Sequence, residues 1–215
     1  MTRLIVVTAG GFGREIDAYA SDAGFEVAGF LHDLHAYPGS LDGLGVEHRV
    51  LGTLDGYEIG PDDVFAIGLG DIEPRRAVAE RLLGRGARLA TVVHPTAWVA
   101  GSAELGQGVV IAPFAFVGPN TRVGDLSILN TYASIGHDTT VGRCCVLSPY
   151  AVCNGRVTLE DEVFLATHAT VTPRRRVGQG AVVSANSVVL RDVPAGSIAH
   201  GNPARARPRV ATPLG

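Results

Sequence analysis

The sequence predicts a small parallel α/β domain followed by a parallel β-helix. Three observations carry this: an aliphatic residue at every sixth position from Val93 to Val189, strand–helix alternation before that repeat, and a composition that is 46% hydrophobic and 18% charged. Such a balance supports a packed core and argues against disorder. With 215 residues the chain is long enough for two small domains. The expected units are 1–90, 91–196 and a C-terminal segment 197–215.

In the first unit, Leu4 to Val7 reads as a β-branched strand, and Gly10, Gly11 and Gly13 as a turn. Arg14 to Ala23 has helical character and ends near Gly24. Val27 to Leu31 is a second strand; Val64 to Ile67 is a third, bounded by Asp62-Asp63 and by Gly68-Leu69-Gly70. Pro74 opens a helix running through Leu83, since proline suits a first helical turn, with Gly84 near its end. This β-α-β alternation indicates a parallel sheet.

From Val93 the period changes. Val93, Val99, Leu105, Ile111, Val117 and Val123 begin a series that continues without a gap to Val189, all aliphatic except Cys153. Four residues after each, the side chain is usually small, as at Ala97, Ala115, Ala133 and Ala151. Such an array marks a parallel β-helix. Three hexads make one triangular coil, so each aliphatic stacks on its equivalent eighteen residues away. Coils stack about 4.8 Å apart, so nearly six give a prism roughly 27 Å long. Arg175 falls at a usually small position, which predicts a distorted coil there.

The net charge is -3, against the basic excess of a nucleic-acid binder. All 18 basic residues are arginine, so no lysine is present for Schiff-base or P-loop chemistry. No apolar run approaches the roughly 20 residues of a membrane span. MTRLIVVTAGG ends in a glycine turn and reads as a buried strand rather than a signal peptide. Cys144, Cys145 and Cys153 are odd in number and form no CxxC, which fits a reducing, cytoplasmic location. His94, His137 and His168 share no spacing that converges on a metal.

The repeat also serves as a coordinate system. The position two after each inward aliphatic forms a column: Gly101, Pro119, His137, Gly155, Pro173 and Arg191. Gly155 should therefore lie one coil beyond His137, where a ligand can approach the backbone closely. The adjacent column is Ser102, Asn120, Asp138, Arg156, Arg174 and Asp192. Two compatible readings of Asp138 stand: a partner of His137, or a rung of ion pairs with Arg156 and Arg174. His137 itself reads as a site residue or as an exposed turn histidine. His94 reads as structural, His168 as a surface position and His200 as a weak contact candidate. Cys145 and Cys153 occupy inward columns, and nothing activates them as nucleophiles.

The segment LNTYASIGHDTTVG, Leu129 to Gly142, resembles the active-site coil of the bacterial sugar acetyltransferases. That family includes nucleotide-linked amino-sugar N-acetyltransferases and sialic-acid O-acetyltransferases, and belongs to the hexapeptide-repeat acyltransferases. The resemblance covers nearly the whole chain, including the opening glycine turn, His94-Pro95 and GNPARAR near the end. It implies a left-handed β-helix behind a Rossmann-like nucleotide-sugar domain, acetyl-CoA as donor, no metal, and a homotrimer with active sites between protomers.

By this resemblance His137 is the general base, a role an imidazole suits near neutral pH. Asp138 stands where the family usually has Glu, and the Gly155 N–H would donate to the developing oxyanion. The implied CoA contacts are Asn154, Gly155, Thr167, Arg174, Pro203, Ala204 and Arg205. Arg174 to Arg176 otherwise read as a solvated run. Gly10, Gly11, Gly13, Asp33 and Gly68 would hold the sugar nucleotide, helix-start N–H groups cradling phosphate. The family usually has Gly at Thr8 and an acidic pair at His32-Asp33, which leaves the nucleotide open. The expected activity is N-acetylation of an amino sugar. The alternatives are O-acylation of a sugar or natural-product hydroxyl, and a non-catalytic β-helix scaffold.

Overall fold

The computed structural model describes residues 2–32, 41, 45 and 49–209. The first unit contains β1 (Arg3–Val7), α1 (Gly11–Asp22), β2 (Glu26–Leu31), β3 (Val50–Gly52), β4 (Asp63–Ile67), α2 (Ile72–Gly84) and β5 (Arg88–Leu89). The five strands form one parallel sheet in the order β3-β2-β1-β4-β5. The strands β3 and β5 were not apparent in the sequence; they are the short edge strands. α1 also starts earlier than expected, so Gly11 and Gly13 lie in its first turn. Gly13 is required by contact, because a β-carbon there would stand 2.0 Å from the Thr8 carbonyl oxygen.

The apolar faces of both helices cover the sheet. Ile16 and Ala20 of α1 pack with Leu4, Val6 and Phe30 on one side. Val78, Ala79 and Leu82 of α2 pack with Ile5, Val7 and Phe65 on the other. Each large side chain so buried contributes about 1.5–3 kcal/mol.

The rest is a triangular parallel β-helix. Its first face has six strands, Trp98–Val99 to Val188–Val189, and its second has five, Glu104–Leu105 to Arg176–Val177. The third runs from Val92–Val93 to Val182–Val183, then adds Ser197–His200 and an antiparallel Arg205–Pro208. The register is the eighteen-residue one: Phe116 pairs Ser134, Val117 pairs Ile135, and Ile135 pairs Cys153. The inward aliphatics form one continuous core, from partly buried Val93, Val99 and Leu105 at the entry to buried Val189.

Regularity persists through Arg175, contrary to the expected distortion. Arg176 pairs Thr158 in register, and the Arg175 carbonyl accepts from the Thr158 amide at 2.9 Å. The guanidinium turns outward instead: Nε donates to the Pro173 carbonyl at 3.3 Å and Nη1 lies 3.9 Å from Asp192 Oδ1. The break comes one coil later, where Val177 bridges Val193 after sixteen residues rather than eighteen. That shortened coil is the end of the second face.

The α/β unit rests on the third face and on the corner between the second and third faces. Val92 and Val110 of the third face share the α1-side core, while Leu126 and Cys144 of that corner share the α2-side core. Arg75 of α2 joins the two units and is 0% exposed. Its guanidinium donates to the carbonyls of Ile67 at 2.5 Å and Leu69 at 3.3 Å, and to those of Leu126 at 2.8 Å and Gly108 at 3.0 Å. Burial lowers its pKa to about 10, so the charge persists at neutral pH with carbonyl dipoles as partners.

Candidate active site

The corner between the first and second faces carries the candidate chemistry. His137 and Asp138 occupy one turn there, and Asp138 has a left-handed φ of 56°. His137 Nδ1 lies 2.8 Å from Asp138 Oδ2. Asn120 Nδ2, one coil earlier, donates to Asp138 Oδ1 at 3.2 Å, and Arg156 Nε, one coil later, lies 3.5 Å from Oδ2. The hydrogen bond from His137, then that from Asn120, then the nearby positive charge hold the Asp138 carboxyl below its usual range. An ionised carboxylate only accepts, so Nδ1 carries the proton it shares, and in the neutral ring Nε2 keeps its lone pair. Asp138 thus contacts both His137 and Arg156. Arg174, one rung further, is exposed and has no carboxylate partner among the described residues.

Gly155 lies where the column places it. A β-carbon on Gly155 would stand 2.5 Å from His137 Nε2 and 2.8 Å from Cε1. Only glycine lets the imidazole lie over this turn. The Gly155 carbonyl accepts from the Arg174 amide at 3.1 Å, while its own N–H has no acceptor among the described residues. A lone-pair nitrogen and an unused amide thus meet on one exposed edge, where one can take a proton and the other can donate to an oxyanion.

The remaining residues expected at the donor site divide between two edges of the first face. Asn154, Gly155 and Arg174 line the histidine corner; Asn154 Nδ2 donates to the Val171 carbonyl at 3.0 Å. Thr167 sits at the opposite corner, between the third and first faces. Gly201 to Ala204 also reach the first face at the prism end, where the Ala204 amide donates to the Val188 carbonyl at 2.8 Å. Pro203 and Arg205 are exposed, the latter on the last strand. One protomer therefore does not gather the set into one pocket.

Thr167's corner carries an exposed column that the sequence reading did not single out. Phe114, Tyr132, Tyr150 and His168 stack with ring centroids 5.1, 4.8 and 4.8 Å apart. Trp98 and Phe116 stack at 4.8 Å on the adjoining first face. The eighteen-residue spacing of Phe114, Tyr132, Tyr150 and His168 was the available signal.

In the α/β unit, three segments meet beyond the carboxyl ends of β1, β2 and β4, where ligands bind in open parallel sheets. Gly10 caps α1 without a side-chain hydrogen bond, leaving first-turn N–H groups open. A β-carbon on Gly68 would stand 2.5 Å from Gly13 Cα, so these two loops touch. Thr8, where the family usually has Gly, takes φ 77° and donates its hydroxyl to the Gly68 carbonyl at 3.0 Å. His32 is buried, and its Nδ1 accepts from the Ala9 amide at 3.2 Å, bracing the glycine turn. Asp33 lies outside the described residues. A cleft of about 700 Å³ opens beside this edge, between the start of α2 and the third face, lined by Asp71, Glu73, Arg76, Glu162, Phe164 and Arg209 among others. It faces away from His137.

His94 is structural, with Nε2 3.1 Å from Asp22 Oδ2 and Nδ1 2.8 Å from Thr96 Oγ1. Cys144, Cys145 and Cys153 are free and buried. Among the described residues no cluster of three His, Cys, Asp or Glu side chains could hold a metal ion, and no helix is long and apolar enough to cross a membrane.

A hexapeptide prism with a His–Asp pair on a corner and a glycine against the imidazole defines a β-helix acyltransferase. Residues 3–82 match the family described as the PglD N-terminal domain. A perosamine N-acetyltransferase from Caulobacter crescentus, solved with CoA and GDP-perosamine, is 26% identical, covers 97% of this chain and 98% of its own, and superposes with a TM-score of 0.84. The acetyltransferase domain of PglB from Neisseria gonorrhoeae, solved with acetyl coenzyme A, is 30% identical over 95% of this chain and 98% of its own, with a TM-score of 0.84. Among curated proteins, the putative acetyltransferase YvoF of Bacillus subtilis is 45% identical over 51 residues, which are 24% of this chain and 30% of that protein. The chain thus spans under a third of that curated relative. The chain belongs to the bacterial sugar acetyltransferases of the hexapeptide-repeat superfamily.

Proposed function

We propose that this protein is an acetyl-CoA-dependent N-acetyltransferase acting on the amine of a nucleotide-linked amino sugar. The single observation that carries the chemistry is the contact between His137 Nε2 and the Gly155 turn, with Nδ1 held by Asp138. His137 takes a proton from the amine as its nitrogen bonds to the thioester carbon. The carbonyl becomes an oxyanion, to which the Gly155 N–H donates. Collapse breaks the carbon–sulfur bond, and the CoA thiolate takes the proton from the imidazolium. Transfer is direct, and the buried cysteines stand apart from it. The N-acetyltransferase relative that carries CoA and a GDP-linked sugar supports amine over hydroxyl as acceptor. Membership in an enzyme family sets the scaffold reading aside.

The open first turn of α1, with Gly10, Gly11 and Gly13, and the Gly68 loop are the proposed nucleotide contacts. Asn154, Gly155, Thr167, Arg174, Pro203, Ala204 and Arg205 are the proposed CoA contacts. Their division between two corners supports a homotrimer in which a groove between prisms brings one corner of each protomer together. The exposed Trp98, Phe116, Tyr132 and Tyr150 are apolar surface of the kind that oligomers cover.

The test is thiol release from acetyl-CoA with UDP-, GDP- and dTDP-linked 4-amino sugars, using wild-type and His137→Ala enzyme, with light scattering for the assembly. Turnover by wild type, its loss by at least a hundredfold in His137→Ala, and unchanged CoA affinity are expected. Activity retained in His137→Ala would remove the base assignment.

A further inference from the structure

The Asp138 carboxylate is held from both sides along the column. Asn120, Asp138 and Arg156 are turn residues in three consecutive coils, with φ of 57, 56 and 60°. The left-handed turn sends each side chain outward beside its neighbours, so consecutive rungs touch. Asn120 occupies Oδ1 at 3.2 Å, while Oδ2 serves both His137 at 2.8 Å and Arg156 at 3.5 Å. An aspartate reaching back to the ring of the preceding residue has little torsional choice. Partial rotation about its terminal bond swings Oδ2 away from His137 unless something fixes it.

We propose that Asn120 and Arg156 are positioning residues for the transfer reaction: Asn120 fixes the rotation of the Asp138 carboxylate, and Arg156 offsets its charge beside the imidazole. The inference rests on His137 being the base. A lone carboxylate at 2.8 Å favours the imidazolium, which has no lone pair to offer. A guanidinium on the same oxygen weakens that bias.

The other groups facing this carboxylate are few. Two coils back the column continues to Ser102, whose hydroxyl oxygen accepts from the Asn120 amide at 3.1 Å. In the following direction Arg174 stands one rung beyond Arg156. On the second face Thr140 is in the same coil, and Arg122, one coil back, is paired with Glu104 at 3.1 Å. Among the described residues, Arg156 is the arginine that pairs with Asp138.

The test compares Asn120→Gly, Arg156→Gln and Arg156→Lys in the full-length enzyme, with His137→Ala as reference. Asn120→Gly keeps the left-handed turn without strain. It should lower kcat about tenfold, with KM for acetyl-CoA unchanged. Arg156→Gln should move the acid limb of kcat/KM up by about half a pH unit, the shift due to one exposed charge a few ångströms away. Its rate on the alkaline plateau should stay within about threefold of wild type, and Arg156→Lys should restore the limb. If His137→Ala is inactive but the acid limb of Arg156→Gln and the kcat of Asn120→Gly match wild type, the clamp is overturned and the base assignment stands. If His137→Ala is active, the base assignment fails first and the clamp with it.

Discussion

Gly155→Ala isolates the proposed catalytic geometry from the stability of the fold. The added β-carbon would stand 2.5 Å from His137 Nε2, 2.8 Å from Cε1 and 3.0 Å from Cδ2. Ordinary contact requires about 3.5 Å, so the ring must retreat by about 1 Å. It can do so cheaply, because the His137 side chain is 57% exposed. A shift of that size takes a 2.8 Å hydrogen bond to Asp138 out of hydrogen-bond range. Misplacement by about 1 Å costs about a hundredfold in rate, or about 2.7 kcal/mol of barrier. The backbone at Gly155 is not left-handed, so alanine is accommodated and stabilises the chain by about 0.4–1 kcal/mol through the unfolded state. Thiol release at saturating acetyl-CoA should therefore fall about a hundredfold while the melting temperature holds or rises slightly. Gly142→Ala is the opposite control: its β-carbon would meet the Asp161 amide nitrogen at 2.6 Å and Glu160 C at 2.7 Å, backbone that cannot yield. That variant should melt several degrees lower. A folded Gly155→Ala enzyme with kcat within threefold of wild type would refute the contact's catalytic role.

Arg75→Met should destabilise the protein by about 3 kcal/mol or more, because it leaves the buried carbonyls of Ile67, Leu126 and Gly108 without donors; a denaturant midpoint equal to wild type would reject Arg75 as the joint between units. Burial pushes the Cys145 thiol up to about 12 and raises Cys153 as well. The native protein should therefore leave both unreacted with a disulfide reagent at pH 8 and yield three thiols only in denaturant. The unfolded chain releases those protons near the ordinary thiol value, so these groups lower stability as pH rises from about 9 toward 12. A flat alkaline stability profile would contradict this.

The inward half of the prism was legible because each hexad repeats one demand, an aliphatic that stacks on its equivalent eighteen residues away. That arithmetic also set Gly155 beside His137 and put Asn120 and Arg156 in the Asp138 column. It could not give their hydrogen bonds, which depend on side-chain rotation. The edge strands β3 and β5 escaped notice because two or three residues carry no periodicity. Arg75 escaped because an arginine in a helix reads as solvated; its burial follows from how the two units dock, a long-range fact no local window contains. Arg175 misled for the converse reason. Its position is inward only where another full coil covers it, and the early arrival of Val193 opens the end of that face.

The corners explain why site and scaffold share one device. Every sixth residue from Gly108 to Asn186 takes a positive φ between 52 and 67°, and only Gly108 and Gly180 among them are glycine. Each of the others accepts a cost of about 1 kcal/mol for the left-handed conformation. Hydrogen bonds between coils offset that cost: the Asp138 amide donates to the Pro119 carbonyl at 2.9 Å and the Arg156 amide to the His137 carbonyl at 2.9 Å. A side chain is needed at such a corner because the turn aligns it with its equivalents one coil away. At one corner the result is the column of Phe114, Tyr132, Tyr150 and His168; at another it is Asn120, Asp138 and Arg156 around His137. Glycine at every corner would relieve the strain and erase both columns, so the residues that cost the backbone most are those the surface chemistry uses.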